Sequence, residues 1–169
     1  IIYIVIVGFI HISSVALSKE TDFPTNIKFE HYKDKNLVLD HNLLKGKLTL
    51  IKVWATWCGA CKEEFKELDK LLPKMLNNSD FQFVSINIDT KPQKAIDWIK
   101  KYLDNSEKIL STLFIDPKFE NIDKLSKESI TLPLSIVVDK NLKIIKIKKE
   151  YSTPQSLKNF ISSFMTIPN

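Results

Sequence analysis

Two cysteines, Cys58 and Cys61, are the residues whose type and spacing could do chemistry in this sequence, and they form a CxxC motif. They follow an apolar stretch at 48–54 that predicts a buried strand, and they precede a helix predicted over about 60–76. Free backbone N–H groups and the helix dipole stabilise a thiolate at a helix N-terminus, which lowers the pKa of a cysteine placed there. We therefore predict that Cys58 attacks a disulfide and that Cys61 resolves the mixed disulfide.

Other uses of a cysteine pair fit the sequence less well. A structural zinc site needs about four ligands, but His11, His31 and His41 all lie upstream of the pair and far apart. A purely structural disulfide between neighbouring turns would constrain little entropy of the unfolded chain. We therefore expect a redox-active dithiol/disulfide pair that uses no metal and no other cofactor.

Two charged residues, Glu64 and Lys52, lie where the pattern calls for apolar ones. Glu64 falls on the apolar face of the helix with Cys61. A low dielectric favours a neutral carboxyl group, so Glu64 could exchange a proton with the cysteines unless it reaches solvent at the edge of that face. Lys52 lies within the apolar strand and could stabilise a thiolate, pair with Glu64, or bury its stem while its ammonium group reaches water.

The segment WATWCGACK at residues 54–62 resembles the active-site segment of thioredoxin-like proteins, in particular the TlpA/ResA-type extracytoplasmic thiol–disulfide oxidoreductases. The resemblance extends to Gly46-Lys47 before the strand and to the Thr-Leu-Pro run at 131–133 before a late strand. It covers roughly residues 27–165 and is loosest over 109–130. It implies a thioredoxin-like fold and an enzyme of thiol–disulfide exchange.

The resemblance also implies roles for individual residues. Cys58 and Cys61 would be the catalytic pair, and Glu64 matches a functional glutamate that such proteins often carry three residues after the second cysteine. Pro133 matches a proline that is cis and faces the pair, and Leu132 would offer its backbone groups to an extended substrate. By itself, Pro133 is also typical of an ordinary proline at the start of a strand.

Trp57 would form a flat surface that faces the substrate, whereas Trp54 is expected in the core. Lys52 departs from the family pattern, since thioredoxins typically carry a buried aspartate at this place. The departure argues against an ordinary cytoplasmic thioredoxin, makes Lys52 a candidate for tuning the pKa of neighbouring groups, and leaves the route of proton transfer open.

The apolar patterns predict an α/β fold with the order β-α-β-α, an insert, and then β-β-α. Helices would flank both faces of a central mixed sheet, with extra short strands near the N-terminus. Strands are expected over 37–39, 48–54, 81–88, 134–138 and 142–147. Helices are expected over about 60–76, from Pro92, and from Pro154, with Thr153 as the N-cap of the last helix.

Two regions of this fold are harder to predict. Within the insert near 109–130, a short strand is expected over 110–115 and a short helix over 119–127. Pro73 should kink or end the helix that follows the cysteines.

The first eighteen residues are predicted to be a targeting segment. They are mostly apolar and end in small residues, which is typical of a signal peptide cut after Ser18 or Ala16. A retained membrane anchor over residues 1–17 is one alternative, and a buried strand or core helix is the other. The signal peptide and the anchor both place the protein outside the cytoplasm, in the periplasm or cell envelope. A linker is expected over 19–26, the thioredoxin-like domain over 27–165 and a tail over 166–169.

Composition supports a globular protein and disfavours nucleic-acid binding. The net charge is +5, but all 25 basic residues are lysines, and they are interleaved with 20 acidic residues. Nucleic-acid sites usually combine clustered arginine with aromatic stacking groups. We therefore expect polypeptide partners rather than nucleic acid.

The expected function is reduction of disulfides in exported proteins, with apocytochrome c among the candidate substrates and an upstream thiol reductant, which could be membrane-bound. A net oxidant or isomerase on the same site remains open, because direction depends on the reduction potential. A binding module without catalysis also remains open. Copper chaperones of this fold usually need CxxxC and a distal histidine, and peroxiredoxins place other residues before their cysteine, so both fit less well.

Overall fold

The computed structural model describes residues 21–125, 130–151 and 153–166. The targeting segment predicted at 1–18 lies outside the described residues, as does most of the predicted tail. Each helix within the described ranges is too short or too polar to cross a bilayer.

The described chain contains eight strands and six helices. The strands are β1 (Thr21–Asp22), β2 (Phe29–His31), β3 (Val38–Leu39), β4 (Leu48–Trp54), β5 (Phe81–Asn87), β6 (Leu113–Ile115), β7 (Leu134–Val138) and β8 (Lys143–Lys148). The helices are α1 (His41–Leu44), α2 (Gly59–Met75), α3 (Gln93–Tyr102), α4 (Ser106–Leu110), α5 (Ile122–Leu125) and α6 (Pro154–Ser162).

All eight strands join one mixed sheet in the order β1-β8-β7-β4-β5-β6-β2-β3. The central strand β4 pairs parallel to β5 and antiparallel to β7, and β5 pairs parallel to β6. The parallel pairs are reached through helical crossovers, whereas β7 and β8 form a hairpin. This arrangement confirms the predicted thioredoxin-like α/β fold with its extra N-terminal strands.

Side-chain alternation along β4 divides the core into two layers. Leu50 and Trp54 face one side, where they pack with α2, α3, α4 and α6. Ile51 and Val53 face the other side and pack against the N-terminal segment and α5. Every residue of β4 after Leu48 is buried, which explains the near-continuous apolar run in the sequence.

The assignment of residues 19–26 to a linker is wrong over the described part of that range. Thr21 and Asp22 form β1, which pairs with β8 at the edge of the sheet, and Phe23 is buried in the core. The polar composition of this segment suggested a linker, but one aromatic side chain and one edge pairing are enough to hold it against the domain.

The insert near 109–130 also differs from its prediction. The strand expected over 110–115 is confined to β6, because residues 106–110 form α4 instead. The helix expected over 119–127 begins only at Ile122, since Phe119 has a φ of 62°, which no right-handed helix allows. Helix α1 was not predicted. The carboxylate of Asp40 caps it by accepting the N–H groups of Asn42 and Leu43.

Helix α2 continues past Pro73, which was expected to kink or end it. Proline has no N–H to donate to the carbonyl group of Asp69 four residues earlier. The side-chain amide of Asn105 donates to that carbonyl oxygen at 3.1 Å. The carboxylate of Asp69 in turn accepts the N–H groups of Asp104 and Asn105 at 2.8 and 3.0 Å. The loop before α4 therefore supplies the Asp69 carbonyl with the hydrogen-bond donor that Pro73 lacks.

We expect Asn105→Ala to lower the free energy of unfolding by about 1 kcal/mol, because the Asp69 carbonyl loses its donor. In a Pro73→Ala background the backbone N–H at position 73 can donate to this carbonyl, so Asn105→Ala should cost clearly less. Urea denaturation of wild type, both single variants and the double variant measures the difference. An equal cost of Asn105→Ala in both backgrounds would contradict this account of the helix.

Candidate active site around the Cys58 and Cys61 pair

The two cysteines lie where β4 ends and α2 begins, and they form a disulfide with their Cα atoms 5.3 Å apart. Cys58 is the N-cap of α2, and its sulfur accepts the N–H of Cys61 at 3.1 Å. Cys58 retains 8% of its surface exposed, whereas Cys61 has none. Cys58 is therefore the sulfur that another molecule can reach, and the helix start favours negative charge on it after reduction.

The loop before the cysteines is fixed by a buried carboxylate, Asp89. Thr56 donates to it twice, from its backbone N–H at 2.9 Å and from its hydroxyl at 2.8 Å. The side-chain amide of Asn87 donates to the same carboxylate at 2.8 Å. These hydrogen bonds hold the approach to Cys58 against the end of β5.

Sequence reasoning missed Asn87 and Asp89 as residues of the site. A signal was present, since two polar residues follow an apolar strand at the carboxyl edge of a parallel pair. In open α/β sheets, functional groups gather at that edge. The sequence pattern gave no indication that these polar groups would bind Thr56, which lies 33 residues from Asp89.

Lys52 and Glu64 form an ion pair in the core, and the exposed fractions of their side chains are 1% and 2%. The ammonium group of Lys52 donates to the Glu64 carboxylate and, at 2.7 Å, to the hydroxyl of Ser135. Ser135 lies opposite Lys52 in the β4–β7 register, which brings its hydroxyl within reach. Of the alternatives open for these residues, pairing is the one that the structure shows, and neither side chain reaches solvent.

Burial lowers the pKa of Lys52, because desolvation disfavours its charged form. The negative charge and the hydrogen bond of Glu64 oppose this shift, and the positive charge of Lys148 on β8, which pairs with Ser135 of β7, adds to it. Desolvation is the largest of these effects, so the pKa of Lys52 lies below its ordinary value despite the ion pair.

A groove of about 700 Å³ opens beside Cys58. It is lined by Trp57, Cys58, Gly59, Ala60, Ile88, Phe119, Ile122, Asp123, Ile130, Thr131 and Leu132. Trp57 stands at its rim with 67% of its surface exposed. Trp54 instead is fully buried and donates its indole N–H to Ser85, as expected for a core residue.

The peptide bond between Leu132 and Pro133 is cis. Leu132 and Thr131 line the groove together with Cys58.

The structure thus brings together some of the candidate residues and separates others. Trp57, Cys58 and Leu132 line the groove, and Cys61 is fully buried on α2. Glu64 and Lys52 are buried and are not among the residues that line the groove. Among residues 21–125, 130–151 and 153–166, no group of three or more His, Cys, Asp and Glu side chains is arranged to hold a metal ion.

Comparison with known proteins supports the thioredoxin-like fold. The family model described as Redoxin matches residues 19–161. The thiol-disulfide oxidoreductase ResA of Bacillus cereus is 23% identical over 125 residues, which are 70% of this chain and 64% of ResA. The match thus spans slightly less than two thirds of that relative. The thiol:disulfide interchange protein DsbE of Escherichia coli is 37% identical over 59 residues, 35% of this chain and 29% of DsbE.

A solved structure from Chlorobium tepidum, assigned as a thiol:disulfide interchange protein DsbE, superposes with a TM-score of 0.69 at 23% identity. The superposition covers 88% of this chain and 98% of that one, which supports the thioredoxin-like fold. Because the family model matches most of the sequence, the chain belongs to the Redoxin family, and its relatives of the ResA and DsbE type confirm the resemblance of its CxxC segment to thioredoxin-like proteins.

Proposed function

We propose that this protein is a thiol–disulfide oxidoreductase that reduces disulfides in other polypeptides. The observation that carries the proposal is the arrangement of its two sulfurs. Cys58 is accessible at the start of a helix and at the mouth of a groove, and Cys61 is buried one turn behind it. An exposed attacking thiol with a protected resolving thiol is the arrangement that disulfide exchange requires.

In the reduced protein, the Cys58 thiolate attacks one sulfur of a substrate disulfide and expels the other sulfur as a thiolate. The resulting mixed disulfide joins Cys58 to the substrate. Cys61 then attacks the sulfur of Cys58 and releases the second substrate thiolate. Two electrons pass to the substrate, the Cys58–Cys61 disulfide forms, and an upstream dithiol must reduce it again.

Glu64 is suited to handle the proton of Cys61. It lies three residues further along α2, so both side chains share the buried face of the helix. Cys61 must lose a proton before it attacks, and in the core a carboxylate is the group that can accept it. We assign to Lys52 the role of holding Glu64 in place through its ion pair, with Ser135 as a second acceptor of its ammonium group.

Direction, location and partners also belong to the proposal. The names of ResA and DsbE describe disulfide oxidoreduction and interchange, and the apolar residues 1–18 are typical of export or membrane anchoring. We therefore place the domain, over about 27–165, in the periplasm or cell envelope. There it would reduce exported proteins, apocytochrome c among the candidates, and draw electrons from an upstream thiol reductant. Trp57, Leu132 and Pro133 would form its substrate-binding surface.

Single cysteine variants test the mechanism. Cys58→Ser should abolish reduction of a disulfide-bonded peptide, because the accessible thiolate is lost. Cys61→Ser should still attack but should accumulate a covalent one-to-one adduct, because no thiol remains to resolve it. Intact mass spectrometry after mixing each reduced variant with the peptide measures the adduct, and Cys58→Ser serves as its matched control. An adduct formed by Cys58→Ser would reverse the assigned roles.

The reduction potential of the Cys58–Cys61 pair tests the direction. Equilibration of residues 19–169 with defined thiol buffers should give a potential of about −250 mV or lower, near the value of thioredoxin. A potential near the roughly −120 mV of a strong oxidant would instead indicate disulfide donation. A pair that does not interconvert at all would indicate a binding module without catalysis.

Replacing Lys52 tests how much the free energy of unfolding depends on the buried ion pair. Lys52→Met should lower the free energy of unfolding by about 3–5 kcal/mol, because the Glu64 carboxylate stays buried without this cation. The double variant Lys52→Met/Glu64→Leu removes both charges and should recover most of the loss. Urea denaturation measures both. A double variant no more stable than Lys52→Met would show that the ion pair is not what the single change breaks.

The pH dependence provides a further check on Lys52. Unfolding restores its pKa to the ordinary value of 10.5, so below that value the unfolded chain holds a proton that the folded chain has released. Stability due to this titration therefore rises with pH in the window between the lowered pKa and 10.5, and it is lost as pH falls through the lowered pKa. The stability of wild type relative to Lys52→Met should rise across this window.

A further inference from the structure

Phe119 forms part of the wall of the groove beside Cys58, and its backbone is strained. Its φ of 62° lies in the left-handed region, which bulky side chains rarely adopt. Such strain persists only where the surrounding structure fixes it, and it clusters at functional sites. Phe119 is also one of the few large apolar side chains left exposed, at 38%.

The turn that carries Phe119 is held by a buried carboxylate, Asp116. Its oxygens accept the N–H groups of Glu120, Asn121 and Ile122 at 3.1, 3.0 and 2.7 Å. Its carbonyl accepts the N–H of Phe119 itself at 3.1 Å. With four hydrogen bonds to one residue, the turn has little freedom to relax, and the ring of Phe119 is kept at the groove.

The wall that carries Phe119 and the wall that carries Cys58 are anchored to the same residue, Asn87. The backbone carbonyl of Asn87 accepts the N–H of Asp116 at 2.9 Å. Its side-chain amide donates to Asp89, which fixes Thr56 just before the cysteines. The distance between the two walls is therefore set by the end of β5, and the groove is formed before any substrate arrives.

The chemistry of the groove indicates what it holds. A substrate sulfur must reach Cys58, so the polypeptide on either side of that sulfur must continue into the groove. The groove is far larger than one cysteine side chain, and most of the side chains that line it are apolar, including Trp57, Ile88, Phe119 and Ile122. An apolar side chain buried there would be stabilised by loss of water contact, whereas a polar one would lose hydrogen bonds to water.

We propose that Phe119 is a specificity-determining residue that packs against an apolar side chain next to the attacked cysteine. The occupant of the groove is thus an extended polypeptide whose disulfide is flanked by aliphatic or aromatic residues. This inference rests on the proposed function and adds to it the class of substrate. The exchange itself is unchanged, with two electrons passing from the Cys58–Cys61 dithiol to the substrate disulfide.

Two peptides of equal length and charge test the proposal, each with one internal disulfide. The residues flanking both cysteines are Leu in one peptide and Asn, of similar size, in the other. The fully reduced protein is mixed with each peptide without added reductant, and acid quenching gives the rate of peptide reduction. Wild type should reduce the Leu peptide about tenfold faster, the range expected for apolar discrimination in a pocket.

Phe119→Ala should bring the two rates close together, whereas Phe119→Leu should keep most of the preference. Tyr102→Ala is the matched control, because Tyr102 is an exposed aromatic residue on α3 that does not line the groove. It should discriminate as wild type does. Tyr102→Ala should also reduce 2-hydroxyethyl disulfide, which has no flanking residues, at the wild-type rate, and it should keep the wild-type reduction potential.

Phe119→Gly separates recognition from folding. Glycine adopts the left-handed region without strain, so this variant should lose discrimination while its Tm is no lower than that of wild type. A role in folding alone would lower the Tm and leave the preference intact. Preference retained in both Phe119→Ala and Phe119→Gly would overturn the inference, as would equal rates for both peptides with an active wild type. A wild type that reduces neither peptide would overturn the proposed function itself.

Discussion

The carboxyl end of β5 is the constraint on which the site depends. Strands β4, β5 and β6 run parallel and end at the same edge, so the loops that follow them converge there. Asp89 holds Thr56 just before the cysteines, and the backbone carbonyl of Asn87 accepts the N–H of Asp116. Asn87 also donates to Asp89, so the two loops are joined. A site that must present one sulfur for exchange needs such a frame, because misplacement of the reacting atoms is costly.

The buried pair of Lys52 and Glu64 is the second determinant. Burying two charges costs more than their attraction returns in many proteins, so an ion pair in a central strand is poor evidence for stability. Here Lys52 faces the same side of β4 as Trp54, in a layer where apolar residues would pack well. A local conflict of this kind is expected where function rather than stability has set the residue.

Long elements with a strong apolar pattern could be predicted from the sequence. Strands β4, β5 and β7 and helix α2 fall within a residue or two of their expected bounds, since burial imposes their periodicity. Some short elements could not be predicted, because they have few residues in which to show a period, although the short strand expected over 37–39 is present as β3. Helix α1 depends on one cap at Asp40, and β1 depends on a partner strand more than a hundred residues away.

The sequence alone determined the chemistry, because a CxxC motif between a buried strand and a helix start specifies a reactive thiol pair through local neighbours. It also placed Glu64 on an apolar face. Only the tertiary structure decided which partner Lys52 takes, because Ser135 lies 83 residues away and meets it through strand register. The strained position of Phe119 was likewise decided by packing, since hydrogen bonds to Asp116 hold a backbone conformation that its own residue type disfavours.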